Sequence, residues 1–366
     1  MKRKLTVTAL LIPLLLAALL LIPLLGAAVI GEHRYAVRHP AYARHWCARL
    51  LGEEEWSTVE NDAQELPVSG ESGVTNVLVL GRDRAAGLTD VMMLVSLNAN
   101  EGALHVLQLP RDTYAAYTSA SYKKLNAAYA RLGGRGLVEF LSRNMGICVD
   151  RYVCVDLSVF GELVDSIGGV SLNVPADMDY DDPAQSLHIH LKAGEQRLDG
   201  EQAQMFVRFR SGYAQADVGR MDAQKLFLSA LASQLKSSMT ATRAIDLACS
   251  SFGKVKTDLT LRECISCVKL LMDVELSDMH MATMPGASVT PKSGGAWYYV
   301  LNRAATEQLL TQAFGQTVAF DPDGVFNNPK KSDYGAIYHA DAEQYLPRTH
   351  SAKEMLDEAP DIRRIS

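Results

Sequence analysis

The N-terminus constrains this chain more than any other stretch. Met1-Lys2-Arg3-Lys4 carries three cations and is followed by an uncharged, Leu-rich run over residues 5–31. At about 1.5 Å of helical rise per residue, such a run is long enough to cross a hydrocarbon core roughly 30 Å thick. A secretory signal has a shorter apolar region with an A-x-A-like exit, and a lipoprotein signal ends at a cysteine. Neither pattern fits well, although Gly26-Ala27-Ala28 leaves cleavage open. Core helices of this length rarely lack a polar face. The reading is therefore an uncleaved signal anchor. With the cations ahead of the span and no second apolar run of comparable length, residues 1–4 belong in the cytoplasm and everything after Gly31 lies outside. That makes a single-pass protein of the cell membrane with an extracellular domain.

The formal net charge of -6 argues against nonspecific attraction to nucleic acid or to an acidic bilayer surface, so any anion site must be local. The six cysteines (Cys47, Cys148, Cys154, Cys249, Cys264 and Cys267) are dispersed and define no small disulfide scaffold. Cys264 and Cys267 form a CxxC pair, but no second pair stands at zinc-finger spacing, so the expectation is buried thiols or one disulfide.

Residues 32–73 are polar without a sustained apolar period and read as a stalk or peripheral helix. A domain then starts near Thr75, where Asn76-Val77-Leu78-Val79-Leu80 gives a buried strand ending at Gly81. The runs 91–97 and 104–109 form an expected hairpin. Helical spacing appears over 136–144 and 158–167, the second ending at Gly168-Gly169, which suits a left-handed cap. Residues 152–155 and 170–174 read as strands. Met221, Leu228, Leu231 and Leu235 share one face of an amphipathic helix over 218–235. The fold class is mixed α/β, with the domain over 74–320 and a flexible polar tail over 321–366.

Charged residues placed where apolar elements end carry the functional signal. Asp83 and Asp90 flank one short loop and suit a divalent ion such as magnesium, which takes one or two carboxylates and leaves its other positions to water and phosphate. By spacing alone, a solvated turn with Asp at its ends is the favoured reading. Arg111 follows the third strand. Arg208 and Arg210 interleave with apolar and aromatic residues in Phe206-Val207-Arg208-Phe209-Arg210, where the preceding helix ends. Clustered arginines suit bidentate phosphate contacts, and the alternative is ion pairing with Asp177, Asp179, Asp181 or Asp182. Asp217, Arg220 and Gln224 lie on one side of the next helix, with Asp217 able to cap it. His188 and His190 share a strand face that could bind zinc, but no third ligand stands at suitable spacing, which favours a solvated face.

The ordered segments NVLVLG-x-D, TD at a strand head, LPRDTY, KLNAAYA, SIGGV, NVPADMDYDDP, LHIHLKAG, LDGEQAQMFVRFR and ADVGRMDAQ together resemble the LytR-CpsA-Psr family. The likeness runs from about Asn76 to Leu235 and continues more weakly through Trp297-Tyr298-Tyr299-Val300. It implies a membrane-anchored phosphotransferase with a single α/β/α-type domain, a central sheet and a polyprenyl-binding tunnel. Its members move teichoic acid, capsular or other glycopolymers from undecaprenyl pyrophosphate to a peptidoglycan hydroxyl. The resemblance assigns Asp83 and Asp90 to magnesium, with manganese an alternative, and Arg111, Arg208, Arg210 and Arg220 to the phosphates. It gives Gln224 a head-group contact and Asp217 assistance in proton transfer. Where the family often reads Arg-Ser-Asp, this chain has Leu88-Thr89-Asp90, leaving Arg82 or Arg84 as the substitute for a missing arginine. Competing readings of the same site are a polyprenyl-pyrophosphate phosphatase and a non-catalytic, lipid-binding envelope regulator.

Overall fold

A computed structural model of the chain describes residues 73–82, 89–115, 123–183, 187–211, 213, 217–240, 244, 254–289, 297–314, 318–321, 324–326 and 349–357. The expected membrane span, the stalk, Asp83 and Leu88 lie outside these residues. Among the described residues, no helix is long and apolar enough to cross a membrane.

The frame is a seven-stranded mixed sheet. It comprises β1 (Val74–Arg82), β2 (Thr89–Asn98), β3 (Ala103–Gln108), β4 (Arg151–Asp156), β9 (Lys256–Thr257), β10 (Met279–Thr283) and β13 (His350–Ser351), in the order β13-β10-β3-β2-β1-β4-β9. β2 pairs antiparallel with both β1 and β3, while β1–β4 and β3–β10 are parallel. β1, β3, β4 and β10 therefore point the same way, and their C-terminal ends share one edge. The expected β2–β3 hairpin is present.

Both faces of this sheet are apolar, because successive strand side chains alternate sides. Val77, Val79, Met93, Val95, Leu104, Val106, Val153 and Val155 face one core. Leu78, Leu80, Met92, Leu94, Leu107 and Cys154 face the other. The first core is covered by α2 (Leu157–Ser166), α3 (Gly200–Arg208), α4 (Asp217–Ser238), α5 (Leu261–Asp273) and α7 (Ala352–Asp357). The second is covered by α1 (Asn126–Met145) and α6 (Arg303–Phe314). The result is a three-layer α/β/α arrangement. Small antiparallel pairs stand beside it: β5 (Val170–Val174) with β8 (Gly194–Leu198), β6 (Met178–Asp182) with β7 (Leu187–Leu191), and β11 (Gly286–Val289) with β12 (Tyr298–Leu301).

Local chemistry explains the element ends. α2 stops where Gly168 and Gly169 take φ of 76° and 88°, and their amides close on the carbonyls of Asp165 and Val164, as the sequence led us to expect. α3 opens with a reciprocal capping box, Asp199 accepting from the Gln202 amide at 2.9 Å and Gln202 from the Asp199 amide at 3.1 Å. Gly161 and Gly200 let α2 and α3 meet: a Cβ on Gly200 would lie 2.2 Å from the Gly161 carbonyl oxygen.

Two expectations need correction. Residues 350–357 do not belong to a flexible tail: β13 pairs with β10, and Ala352 and Met355 are buried in the first core. A two-residue strand and a six-residue helix are too short to leave a period in the sequence. With α7 packed on it, α4 is not an amphipathic helix with one wet side, since Arg220, Gln224, Lys225 and Ser229 are also buried. The expectation of buried thiols holds for Cys148, Cys154, Cys264 and Cys267, none of which forms a disulfide.

Candidate functional site

The expected site residues converge on the edge where β1, β3, β4 and β10 end. Arg82 pairs with Thr89 and Gly81 with Val91, so Asp90 is the extra residue of a β-bulge. Bulges re-aim a side chain out of the ladder, and here the Asp90 carboxylate accepts a hydrogen bond from Arg111 Nη1. Arg111 is placed by a turn. Pro110 fixes the exit from β3, and its carbonyl accepts from the Thr113 amide at 3.0 Å and the Thr113 hydroxyl at 2.6 Å.

Segments far apart in sequence hold that turn. The amides of Asn126 and Leu125 donate to the carbonyls of Arg111 and Thr113, and the Tyr299 amide donates to Asp112. The motifs around Arg111, Lys124 and Tyr299 are thus one assembly. Asp112, only 4% exposed, is paired with Lys124 Nζ at 2.6 Å and lies 3.6 Å from Arg111 Nε. Lys124 also sits 4.7 Å above the Trp297 ring. Sequence reasoning missed Asp112 and Lys124 as site components. The signal available for them was their position inside the LPRDTY and KLNAAYA segments.

From the other side, α4 brings Arg220 to the same bulge, its Nη2 3.5 Å from the Asp90 carbonyl oxygen. One turn on, Gln224 receives a hydrogen bond from Gln108 Nε2 at 3.2 Å and donates to the Val207 carbonyl at 3.0 Å. Gln224 therefore ties the C-terminal end of α3 to the sheet edge. Beneath it, Lys225 Nζ reaches Thr283 Oγ1 at 3.2 Å and Asp222 Oδ1 at 2.7 Å, a buried polar network that the sequence did not reveal. Each of its members has a partner, as burial demands.

Arg208 is the last residue of α3 and Arg210 follows the helix, exposed. Between and beyond them, Phe209 and Tyr213 are buried edge to face at 5.3 Å and anchor the segment. Burial, with Asp222 nearby, pushes the Tyr213 hydroxyl up. Of the four alternative partners considered for the arginines, Asp177 holds Lys192, Asp179 holds His190 and Asp181 holds His188. Asp217 opens α4, one turn before Arg220. Of the two suggested substitutes for the missing arginine, Arg84 lies outside the described residues. Arg82 is held by Asp156, with Nε and Nη2 at 3.0 and 2.9 Å from one oxygen, and this hydrogen bond raises its pKa.

The arrangement is a candidate anion cradle on a rigid edge, with Arg111 and Arg220 meeting at Asp90. In open α/β sheets, ligands bind outside the carboxyl ends of parallel strands, which is where these groups lie. Asp90, with its side chain 37% exposed, is also a hard oxygen donor suited to magnesium bound chiefly through phosphates.

The model of the LytR-CpsA-Psr family matches residues 51–315. The chain belongs to the LytR-CpsA-Psr family. Its relatives include the polyisoprenyl-teichoic acid–peptidoglycan teichoic acid transferase TagV of Bacillus subtilis, 28% identical over 58% of this chain and 56% of TagV. The transferase TagU of Bacillus cereus is 25% identical over 79% of this chain and 93% of its own length. The crystal structure of B. subtilis TagV has the same fold, with a TM-score of 0.56 at 24% identity, covering 68% of this chain and 100% of that one. TagT bound to LIIa-WTA aligns at a TM-score of 0.51 and 25% identity, over 66% of this chain and 91% of TagT.

Proposed function

We propose that this LytR-CpsA-Psr protein is a phosphotransferase that moves an anionic glycopolymer, such as teichoic acid or capsular polysaccharide, from undecaprenyl pyrophosphate to peptidoglycan. The observation that carries the reading is the convergence of Arg111 and Arg220 on the Asp90 bulge, within a family whose relatives TagV and TagU are named as polyisoprenyl-teichoic acid–peptidoglycan teichoic acid transferases. Residues 5–31 hold the domain at the outer face of the cell membrane, where both the lipid carrier and peptidoglycan are within reach. The carrier's polyprenyl tail is accommodated in the apolar layer between the sheet and α2–α4.

Phosphoryl transfer asks little covalent work of a protein and much positioning and charge stabilisation. Arg111 and Arg220 hold the pyrophosphate and stabilise charge that grows on it as the bond to the leaving phosphate breaks. Arg208 and Arg210 extend the cationic surface from the end of α3. Gln224, fixed by Gln108 and the Val207 carbonyl, orients the head group. Asp217, at the start of α4, accepts the proton of the attacking sugar hydroxyl. Magnesium or manganese, held by Asp83 and Asp90, would neutralise phosphate charge when bound.

The test is product analysis with the purified full chain, a lipid-linked polymer and magnesium, run with and without peptidoglycan. Polymer covalently joined to peptidoglycan supports transfer. Release of free polymer at the same rate in both arms makes the protein a phosphatase, and retention of unaltered lipid-linked polymer makes it a binding module.

A further inference from the structure

The hairpin of β6 and β7 carries a second set of ligand-type side chains, separate from the anion cradle. Strand alternation buries Met178, Leu187, Ile189 and Leu191 and leaves Asp179, Asp181, His188 and His190 exposed on the opposite face. The register sets Asp181 against His188 and Asp179 against His190. Directly opposed residues have Cβ atoms roughly 4.5–5.5 Å apart, so two neighbouring cross-strand pairs form one compact cluster. His188 Nδ1 lies 2.5 Å from Asp181 Oδ1, and His190 Nδ1 lies 2.8 Å from Asp179 Oδ1. The remaining ring nitrogen of His190, Nε2, then faces Asp181 and stands 3.5 Å from the same Oδ1. One ligand atom from each of Asp181, His188 and His190 falls within 4.8 Å of the others.

We propose that Asp181, His188 and His190 bind a borderline divalent cation of the zinc class, with Asp179 positioning the His190 ring. Donor atoms about 2.0–2.1 Å from a tetrahedral zinc stand roughly 3.3 Å apart. The 3.5 Å between His190 Nε2 and Asp181 already fits, and the shorter His188–Asp181 contact opens by less than about 1 Å through side-chain rotation. Two imidazoles and one carboxylate select zinc, nickel or copper over magnesium. The Asp179–His190 bond is the outer carboxylate that such histidines commonly have. Asp177 does not compete, because it accepts from Lys192 Nζ at 2.9 Å and from the Ala193 amide at 2.8 Å, which also neutralises the cation that follows β7. Ile189 and Met178 root both strands in the core, at 0% and 1% exposure, so the ligands stand on a rigid base. Three protein ligands leave a fourth position for water or an anionic oxygen. The missing third ligand of the sequence reading is thus Asp181, supplied across the strand pair. The described cysteines are buried, and burial pushes the Cys267 thiol up to about 12, so they are poor rivals.

The test is calorimetric titration of zinc, and separately of magnesium, into the metal-free full chain. One zinc site per chain is expected, at least about 100-fold tighter than magnesium. The H188N/H190N double variant loses it, and D179N weakens it about 10- to 100-fold while keeping one site. Cobalt in place of zinc should give visible bands without the ultraviolet charge-transfer band of a thiolate. All substituted side chains are exposed, and unchanged circular dichroism confirms folding. Zinc binding that survives H188N/H190N, a thiolate band, equal affinity for magnesium or no zinc binding would overturn the proposal.

Discussion

The two ends of the central sheet both gather arginines, yet they use them differently. At the N-terminal end of β4, Arg151 makes a two-pronged pair with Glu263, Nη2 and Nε reaching its oxygens at 2.5 and 3.4 Å. Beside it, Arg135 is matched by Asp258 at 3.1 Å and Glu139 at 3.3 Å. These pairs join α1, β4 and α5 and leave the charges satisfied within the protein. At the C-terminal end, Arg111 divides itself between Asp90 and Asp112, Asp112 is shared with Lys124, and Arg220 reaches a backbone carbonyl of the Asp90 bulge. At the first end the pairs link separate elements of the fold, whereas at the second two guanidiniums converge on one bulge, the arrangement proposed above to hold an external anion.

The largest effect that could break this contrast is at Arg111 and Arg220. Alanine at either should slow polymer transfer by about 100- to 1000-fold, near the loss for removing one preorganised charge donor, with the fold intact by circular dichroism. The double variant should lose less than the product of the two if both address one pyrophosphate. At the other end the order reverses. R151A should lower unfolding free energy by roughly 2 kcal/mol in urea titrations, because Glu263 is left half-buried without its partner, while transfer per folded molecule stays near wild type. Burial pushes the Glu263 carboxyl up, but the hydrogen bonds and charge of Arg151 together with hydrogen bonds from Thr260 outweigh it and hold its pKa below the usual carboxylate range.

The elements that carry these residues were legible to different degrees. The β2–β3 hairpin, α2 with its two glycines and the helix carrying Arg220 and Gln224 follow from local period and turn chemistry, which a single sequence displays. α1 was read only over 136–144, because Gly133, at φ 67°, interrupts its 126–145 span and the first turns are rich in small residues. Asp90, Arg111 and Arg220 could be named from motif order. Their meeting could not, because it depends on a bulge and on contacts 21 and 130 residues apart. The same holds for Asp181 beside His188 and His190: cross-strand register leaves no local trace in sequence.

Smaller perturbations sharpen the comparison. Q108L removes the amide that fixes Gln224, and roughly 1 kcal/mol of lost hydrogen bonding should raise KM for the lipid-linked donor about 5-fold with little change in kcat. An effect confined to acidic pH lies away from both ends, where His105 and His280 face each other between β3 and β10 with ring centroids 5.1 Å apart. Burial, aided by His280, lowers the His105 pKa to about 4. The unfolded chain takes up this proton near the ordinary value of 6.5, so the folded state binds fewer protons between the two values. Stability should therefore be full above pH 6.5 and fall, by on the order of 2 kcal/mol at most, as the pH drops towards 4. H105Q should flatten that slope in urea titrations across the window.

Direct binding of the carrier addresses the anion cradle without relying on turnover. Undecaprenyl pyrophosphate, titrated calorimetrically into the detergent-solubilised full chain, should bind one to one. R111A and R220A should each weaken it at least about 10-fold, and R151A should leave it unchanged. Equal affinity in all three variants, or a loss confined to R151A, would place the pyrophosphate elsewhere and contradict the assignment of the Asp90–Arg111–Arg220 edge.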